Sequence, residues 1–201
     1  MKKDLKILKK SKKVEFVYLP KFDDIYKDKK KSKIKLLKKD KILCAKFRKG
    51  HFEGVLDVME RLTNLVNPKK IFMGKKDYQQ YFLIKNYLKN KYKTSIIPCK
   101  TIRNKDKIAL SSRNNHLDLN GIKKASFLSK NLIRLKRNLA NSKKIKQNLR
   151  IQSKYYEKLL KIKIEYLELR SIKNLKISNT VKSSRLFVAY YINNIRLIDN
   201  F

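Results

Sequence analysis

The chain has 201 residues, enough for one large domain or two small ones with a real core. Hydrophobic residues make up 42%, which excludes a disordered composition, and the apolar runs fall far short of the ~20 residues of a membrane span. The formal net charge is +38, from 54 Lys and Arg against 16 Asp and Glu; the excess is mostly lysine and spread from end to end, which fits an overall compositional bias better than a built polyanion surface, and non-specific, salt-sensitive adhesion to RNA or DNA follows either way.

Residues 2–12 predict a short basic helix with Leu5 and Leu8 on one face. The start MKKDLKILKKSKK has no apolar stretch of signal-peptide length and is too poor in Arg and Ser for a transit peptide, so a cytoplasmic protein is expected. VEFVYLP (14–20) has β-rich composition and stops at Pro20, a strand signature. DDIYKDKKKSK predicts a short helix and a loop. HFEGVLDVMERLTNLVNP (51–68) predicts an amphipathic helix with Phe52, Val55, Val58, Met59, Leu62, Leu65 and Val66 inward, ended by Asn67-Pro68. KKIFMG (69–74) predicts a short buried strand closed by glycine. DYQQYFLIKNYLKNKY (77–92) predicts a second amphipathic helix with Tyr81, Ile84, Tyr87 and Leu88 inward, and TSIIPCKTI (94–102) a third strand.

This order of strand, helix, strand, helix, strand implies a parallel sheet covered by helices, with ligands at the carboxyl ends of the strands. From about residue 108 the pattern changes. LNGIKKASFLSKNLIRLKRNLANSKK (119–144) predicts a long basic helix with Leu128, Leu132, Leu135 and Leu139 in line, and 145–161 another. KIEYLELRS, SSRLFVAYYI and NIRLIDN close the chain as short strands, with Asn193-Asn194 as a hairpin turn between the last two. The expected fold is α/β: a partial doubly wound parallel sheet over residues 1–107, then a smaller α+β domain with antiparallel strands over 108–201. Cys44 and Cys99 show no metal or redox spacing and are expected to be small buried hydrophobes.

Three clusters could do chemistry. In FRKGHFEGV, Arg48, Lys49 and His51 crowd Gly50 just before a helix, which suits an anion or a simple basic cap. In MGKKDYQQ, Gly74 permits close backbone approach and Lys76 offers a point charge. Asp77 can cap the helix or accept from ribose hydroxyls, and Gln80 can both donate and accept. In KDKIALSSRNNHLD, Ser111, Ser112, Arg113 and Asn114 form either a dense set of anion ligands or a polar turn before the long helix. NIRLIDN is read as structural. With four glycines and two histidines, the chain has no Walker loop, no GxGxxG, no HExxH and no Ser-His-acid set.

Taken in order, FRKGHFEGVLDVMERLTNLVNPKKIFMGKKDYQQ, TIRNKDKIALSSRNNHLD and SSRLFVAYYINNIRLIDN resemble the pantothenate synthetase (pantoate–β-alanine ligase) family, over nearly the whole chain. The resemblance implies a nucleotidyltransferase-superfamily, Rossmann-like domain followed by a C-terminal lid. It implies a ligase that uses ATP and Mg²⁺ to activate pantoate as pantoyl adenylate, from which the amine of β-alanine displaces AMP. Carried over by motif, Gly74, Lys75, Lys76 and Asp77 would meet ATP, with Asp77 on the ribose and the backbone of Ile102 facing adenine. Leu110, Ser111, Ser112 and Arg113 would grip phosphate. Gln80 would hold pantoate, with Arg48 and His51 lining its side. Lys76 and Arg113 would be catalytic. The resemblance also suggests a homodimer.

The chain departs from the pattern at Lys75 for Glu, Lys107 for Gly, Leu110 for Met and His116 for Tyr. It also lacks the family's Met-Gly-x-Leu-His-x-Gly-His turn. That shortfall predicts an exposed apolar sheet edge, poor solubility or activity of the lone chain, and rescue by a separately encoded N-terminal fragment. The alternatives are an inactive remnant of such an enzyme and a basic nucleic-acid-binding module; the second is disfavoured because the aromatics fall mainly on apolar faces.

Overall fold

The computed structural model describes residues 2–11, 13–27 and 33–201. In chain order the elements are α1 (Lys2–Lys10), α2 (Phe22–Ile25), α3 (Cys44–Phe47), α4 (His51–Val66), β1 (Lys70–Gly74), α5 (Tyr78–Leu88), β2 (Ser95–Cys99), α6 (Leu119–Asn138), α7 (Ile145–Leu160), β3 (Lys163–Ser171), β4 (Ser184–Ile192) and β5 (Ile195–Asn200). Single 3₁₀ turns lie at Lys75–Asp77 and Ser112–His116.

β1 and β2 pair in parallel from Lys70↔Ser95 to Gly74↔Cys99, joined through α5, as the alternating pattern requires. β3, β4 and β5 form an antiparallel sheet in that order, and Asn193 takes φ 47° in the tight turn between β4 and β5. One core cluster joins Phe52, Leu56, Tyr81, Ile84 and Leu88 to Leu175 and Phe187. The other packs α6 and α7, through Leu128, Leu132, Leu139, Leu149 and Tyr156, onto Leu169, Leu186 and Val188.

Several local expectations are corrected. Residues 14–20 join no sheet; they run without regular structure, and Phe16 is 89% exposed. Side chains of high β-propensity make a strand only where a neighbour offers a ladder and a surface to pack on. β1 is not buried either: its residues alternate between exposed and half-buried, and Phe72 is 66% exposed, because the sheet is only two strands wide. Leu65 and Val66 are exposed in the last turn of α4, whose fully buried residues are Phe52, Leu56, Asp57 and Thr63. Cys44 is buried as expected, but Cys99, the last residue of β2, is exposed.

Candidate active site

Gly74 ends β1, and a Cβ placed on it would meet nothing within 4 Å, so the space beside this backbone is open. The chain then turns through Lys75–Asp77 into α5. Asp77 stands at the N-cap of α5 yet makes no capping hydrogen bond. Its half-exposed carboxylate has Lys76 Nζ at 3.7 Å. Asp77 therefore keeps its acceptor capacity for something other than the helix.

The second segment is built on the 3₁₀ turn Ser112–His116. The Ser111 hydroxyl accepts from the Arg113 N–H at 3.3 Å, and Asn114 Nδ2 donates to the Ala109 carbonyl at 3.0 Å. Arg113 Nη1 donates to the Arg196 carbonyl on β5 at 3.1 Å, which ties the guanidinium to the last strand. The third segment precedes α4, where Gly50 takes φ 76°, a left-handed conformation that glycine adopts without strain, and starts the helix at His51. Burial pushes the His51 pKa below its ordinary value; the Arg48 and Arg113 charges lower it further, and Asp77 opposes them. His51 thus senses the other two segments.

These segments meet around a cavity of ≈ 210 Å³. Lys76 and Asp77, Ser111, Arg113 and Asn114, and Arg48 all line it, together with Tyr190 and Asp199 from the C-terminal sheet. A recess of ≈ 40 Å³ adjoins it, sharing Arg48, Lys76 and Asp77 and adding His51, Gln79 and Gln80. Gln79, not Gln80, is the buried glutamine: its Nε2 donates to the Ile42 carbonyl at 2.7 Å, and its Oε1 has no partner among the described residues. Gly74, Lys75, Ile102, Leu110 and Ser112 line neither cavity. Ile102 and Leu110 are exposed neighbours, the Leu110 N–H donating to the Ile102 carbonyl at 3.0 Å.

The family model for pantoate–β-alanine ligase matches residues 1–201. The chain belongs to the pantoate–β-alanine ligase family. It is 34% identical to a pantothenate synthetase of Sulfurihydrogenibium over 196 residues, covering 93% of this chain and 68% of the relative. It is 37% identical to one of Leptospira interrogans over 205 residues, covering 98% and 70%. A crystal structure of the Thermus thermophilus enzyme superposes with a TM-score of 0.89 at 26% identity, over 100% of this chain and 73% of that one. The Francisella tularensis ligase, solved with beta-gamma ATP and β-alanine, superposes with a TM-score of 0.76 at 32% identity, over 100% and 69%. The mixed fold, a parallel pair and a separate antiparallel sheet, is that of this ligase family.

Within the family's fold, the residues the sequence reading passed over lie in NIRLIDN. The Asn200 side chain, 2% exposed, donates from Nδ2 to the Lys75 carbonyl at 2.9 Å and the Lys76 carbonyl at 2.8 Å. Its Oδ1 accepts from Arg185 Nε, and the Arg185 guanidinium lies 5.2 Å from the centre of the Tyr78 ring at the start of α5. Next to it, Asp199 takes a bidentate pair from Arg103 at 2.6 and 2.8 Å. The last strand thus clamps the turn that carries Lys76 and Asp77. A signal was present in the sequence: adjacent residues of a strand face opposite ways, so a polar Asp-Asn pair in a covered strand must bury at least one polar side chain, which then needs a partner.

Proposed function

We propose that this chain binds ATP across the cavity beside the 76–77 turn and joins pantoate to β-alanine through a pantoyl-adenylate intermediate. The observation that carries the reading is the shared cavity: the 76–77 turn and the 111–113 loop, 34 or more residues apart in sequence, face one space of ≈ 210 Å³. Asp77 would accept from the ribose hydroxyls, and Ser111 and Arg113 would bind the phosphates, with Arg48 and Lys76 adding positive charge. Pantoate would span the junction with the recess, its hydroxyls on Gln80 and its side against His51 and Arg48. Gly74, Lys75, Ile102, Leu110 and Ser112 would take part only as ATP extends beyond the cavity.

In the first step a pantoate carboxylate oxygen attacks the α-phosphorus and pyrophosphate leaves with the bond electrons. In the second the neutral amine of β-alanine attacks the acyl carbon, AMP leaves and the amine gives up a proton. Neither step needs a protein nucleophile. Lys76 and Arg113 would act by holding the reacting groups in line and by neutralising charge that builds on the displaced phosphates. Among the described residues no three His, Cys, Asp or Glu stand together as a metal cage. The Mg²⁺ implied by the family would therefore be held chiefly by phosphate oxygens and water, as this ion commonly is.

Two further parts of the reading concern assembly. The open β1 edge and exposed Phe72 suit cover by polypeptide equivalent to the part of the relatives that has no counterpart here, in this chain or a separate one. A homodimer in the cytoplasm is the expected setting, and no helix among the described residues is long and apolar enough to cross a membrane.

The test is AMP release that depends on ATP, pantoate and β-alanine together, with and without the N-terminal segment of a relative supplied in trans. Lys76→Ala and Arg113→Ala should each lower the rate by about 10²-fold or more while the protein stays folded. Unchanged turnover in both variants would remove the cavity from the mechanism.

A further inference from the structure

A second concave site lies away from the first, between α7 and the outer edge of β3. It encloses ≈ 390 Å³ and is lined by Lys146, Arg150 and Lys154 of α7 and by Leu167 and Leu169 of β3. The three basic residues are spaced four apart, so they form one ridge along the helix. None of their side chains has a hydrogen-bond or ion-pair partner among the described residues. Three acids share the lining: Glu165 pairs with Arg196 and Glu168 with Arg170 at 2.6 Å, while Glu157 accepts from the Ile164 N–H at 2.9 Å and has no cationic partner among the described residues. Three unpaired basic side chains against one acid without a cation leave the groove a net positive wall.

Its other wall is a strand edge. Leu186 on β4 exchanges both backbone hydrogen bonds with Phe201, at 3.1 and 3.0 Å, so its backbone groups face away from β3. Two-residue alternation turns Val188 the same way. Their partners on β3 are Leu169 and Leu167, which are therefore non-hydrogen-bonded pairs with backbone groups aimed outward. The Ser178 N–H takes up the Leu169 carbonyl at 2.9 Å. The N–H and C=O of Leu167 have no partner among the described residues, while its side chain is in the core.

We propose that this groove docks a short, extended, acidic peptide segment of a partner protein, which pairs with the Leu167 backbone and sets its carboxylates against Lys146, Arg150 and Lys154. An outward donor and acceptor on one residue are complementary to another backbone, and strand addition to an open edge is a general mode of peptide capture. The charge of the ridge selects acidic sequences. A second copy of this chain would bring a like-charged ridge to the same place, and nucleic acid would leave the strand edge unpaired.

The probe is a fluorescein-labelled peptide alternating Glu and Val, titrated against the full chain at physiological salt. Saturable anisotropy and slowed amide exchange at Leu167 are expected. Lys146→Glu combined with Arg150→Glu should weaken binding about tenfold, the worth of two exposed ion pairs together, and an N-methylated peptide of the same sequence should lose it. Absence of saturable binding overturns the proposal. So do equal binding of the N-methylated peptide, an unchanged affinity in the charge-reversed variant, an oligouridylate that outcompetes the peptide, and protection of the Leu167 amide by self-association alone.

Discussion

Replacing Asn200 by alanine tests the clamp on the 75–77 turn. The side chain donates two neutral hydrogen bonds, to the carbonyls of Lys75 and Lys76, and accepts one from the charged Arg185. Neutral bonds contribute about 1 kcal/mol each and a bond from a charged donor about 2 kcal/mol. Their sum is an upper figure, because water reaches part of the vacated space, so a loss of about 3 kcal/mol is expected. For a chain of this length that lowers Tm by roughly 6–12 °C. Asn200→Asp should be worse for ATP, since it sets an acceptor against two carbonyls while leaving Arg185 paired. Thermal unfolding by circular dichroism gives the first number. Calorimetric titration with ATP, on variants kept well below their Tm, gives the second, and about tenfold weaker binding is expected for Asn200→Ala. A Tm within a degree of the parent together with unchanged ATP affinity would refute the clamp.

The Arg103–Asp199 pair is largely buried, so Arg103→Ala alone should cost about 3 kcal/mol by stranding the carboxylate, and removing both charges with apolar residues should cost less; a double-mutant cycle in urea reads this. His51 has its pKa depressed, chiefly by burial and then by Arg48 and Arg113, so the folded state resists protonating it. Its contribution to stability is complete above the unfolded value near 6.5 and declines as pH falls from there toward the depressed folded value, because the unfolded chain then binds the extra proton. His51→Gln should flatten that acid-side slope in pH-dependent urea melts. Phe72→Ser should raise the soluble yield of the lone chain and abolish rescue by an N-terminal segment in trans, if the exposed β1 face is where that segment packs.

Much of this protein is legible in its residue order. The helices 51–66, 78–88, 119–138 and 145–160 announce themselves by apolar spacing and by stops such as Asn67-Pro68, and the strand–helix–strand alternation around residues 70–99 requires a parallel pair. The motifs around Lys76 and Ser111 pick out two polar segments that line one cavity, because local turns and donor-rich loops are set by near neighbours. Tertiary structure alone decided the rest. Whether residues 14–20 become a strand depends on a partner edge, which no local pattern contains. That Asp77 leaves its helix uncapped, that Gln79 rather than Gln80 is buried, and that Asn200 holds carbonyls more than 120 residues away are matters of distance in space. Periodicity says which side chains turn inward; it is silent on what they meet, because that meeting is settled only when separate segments pack together.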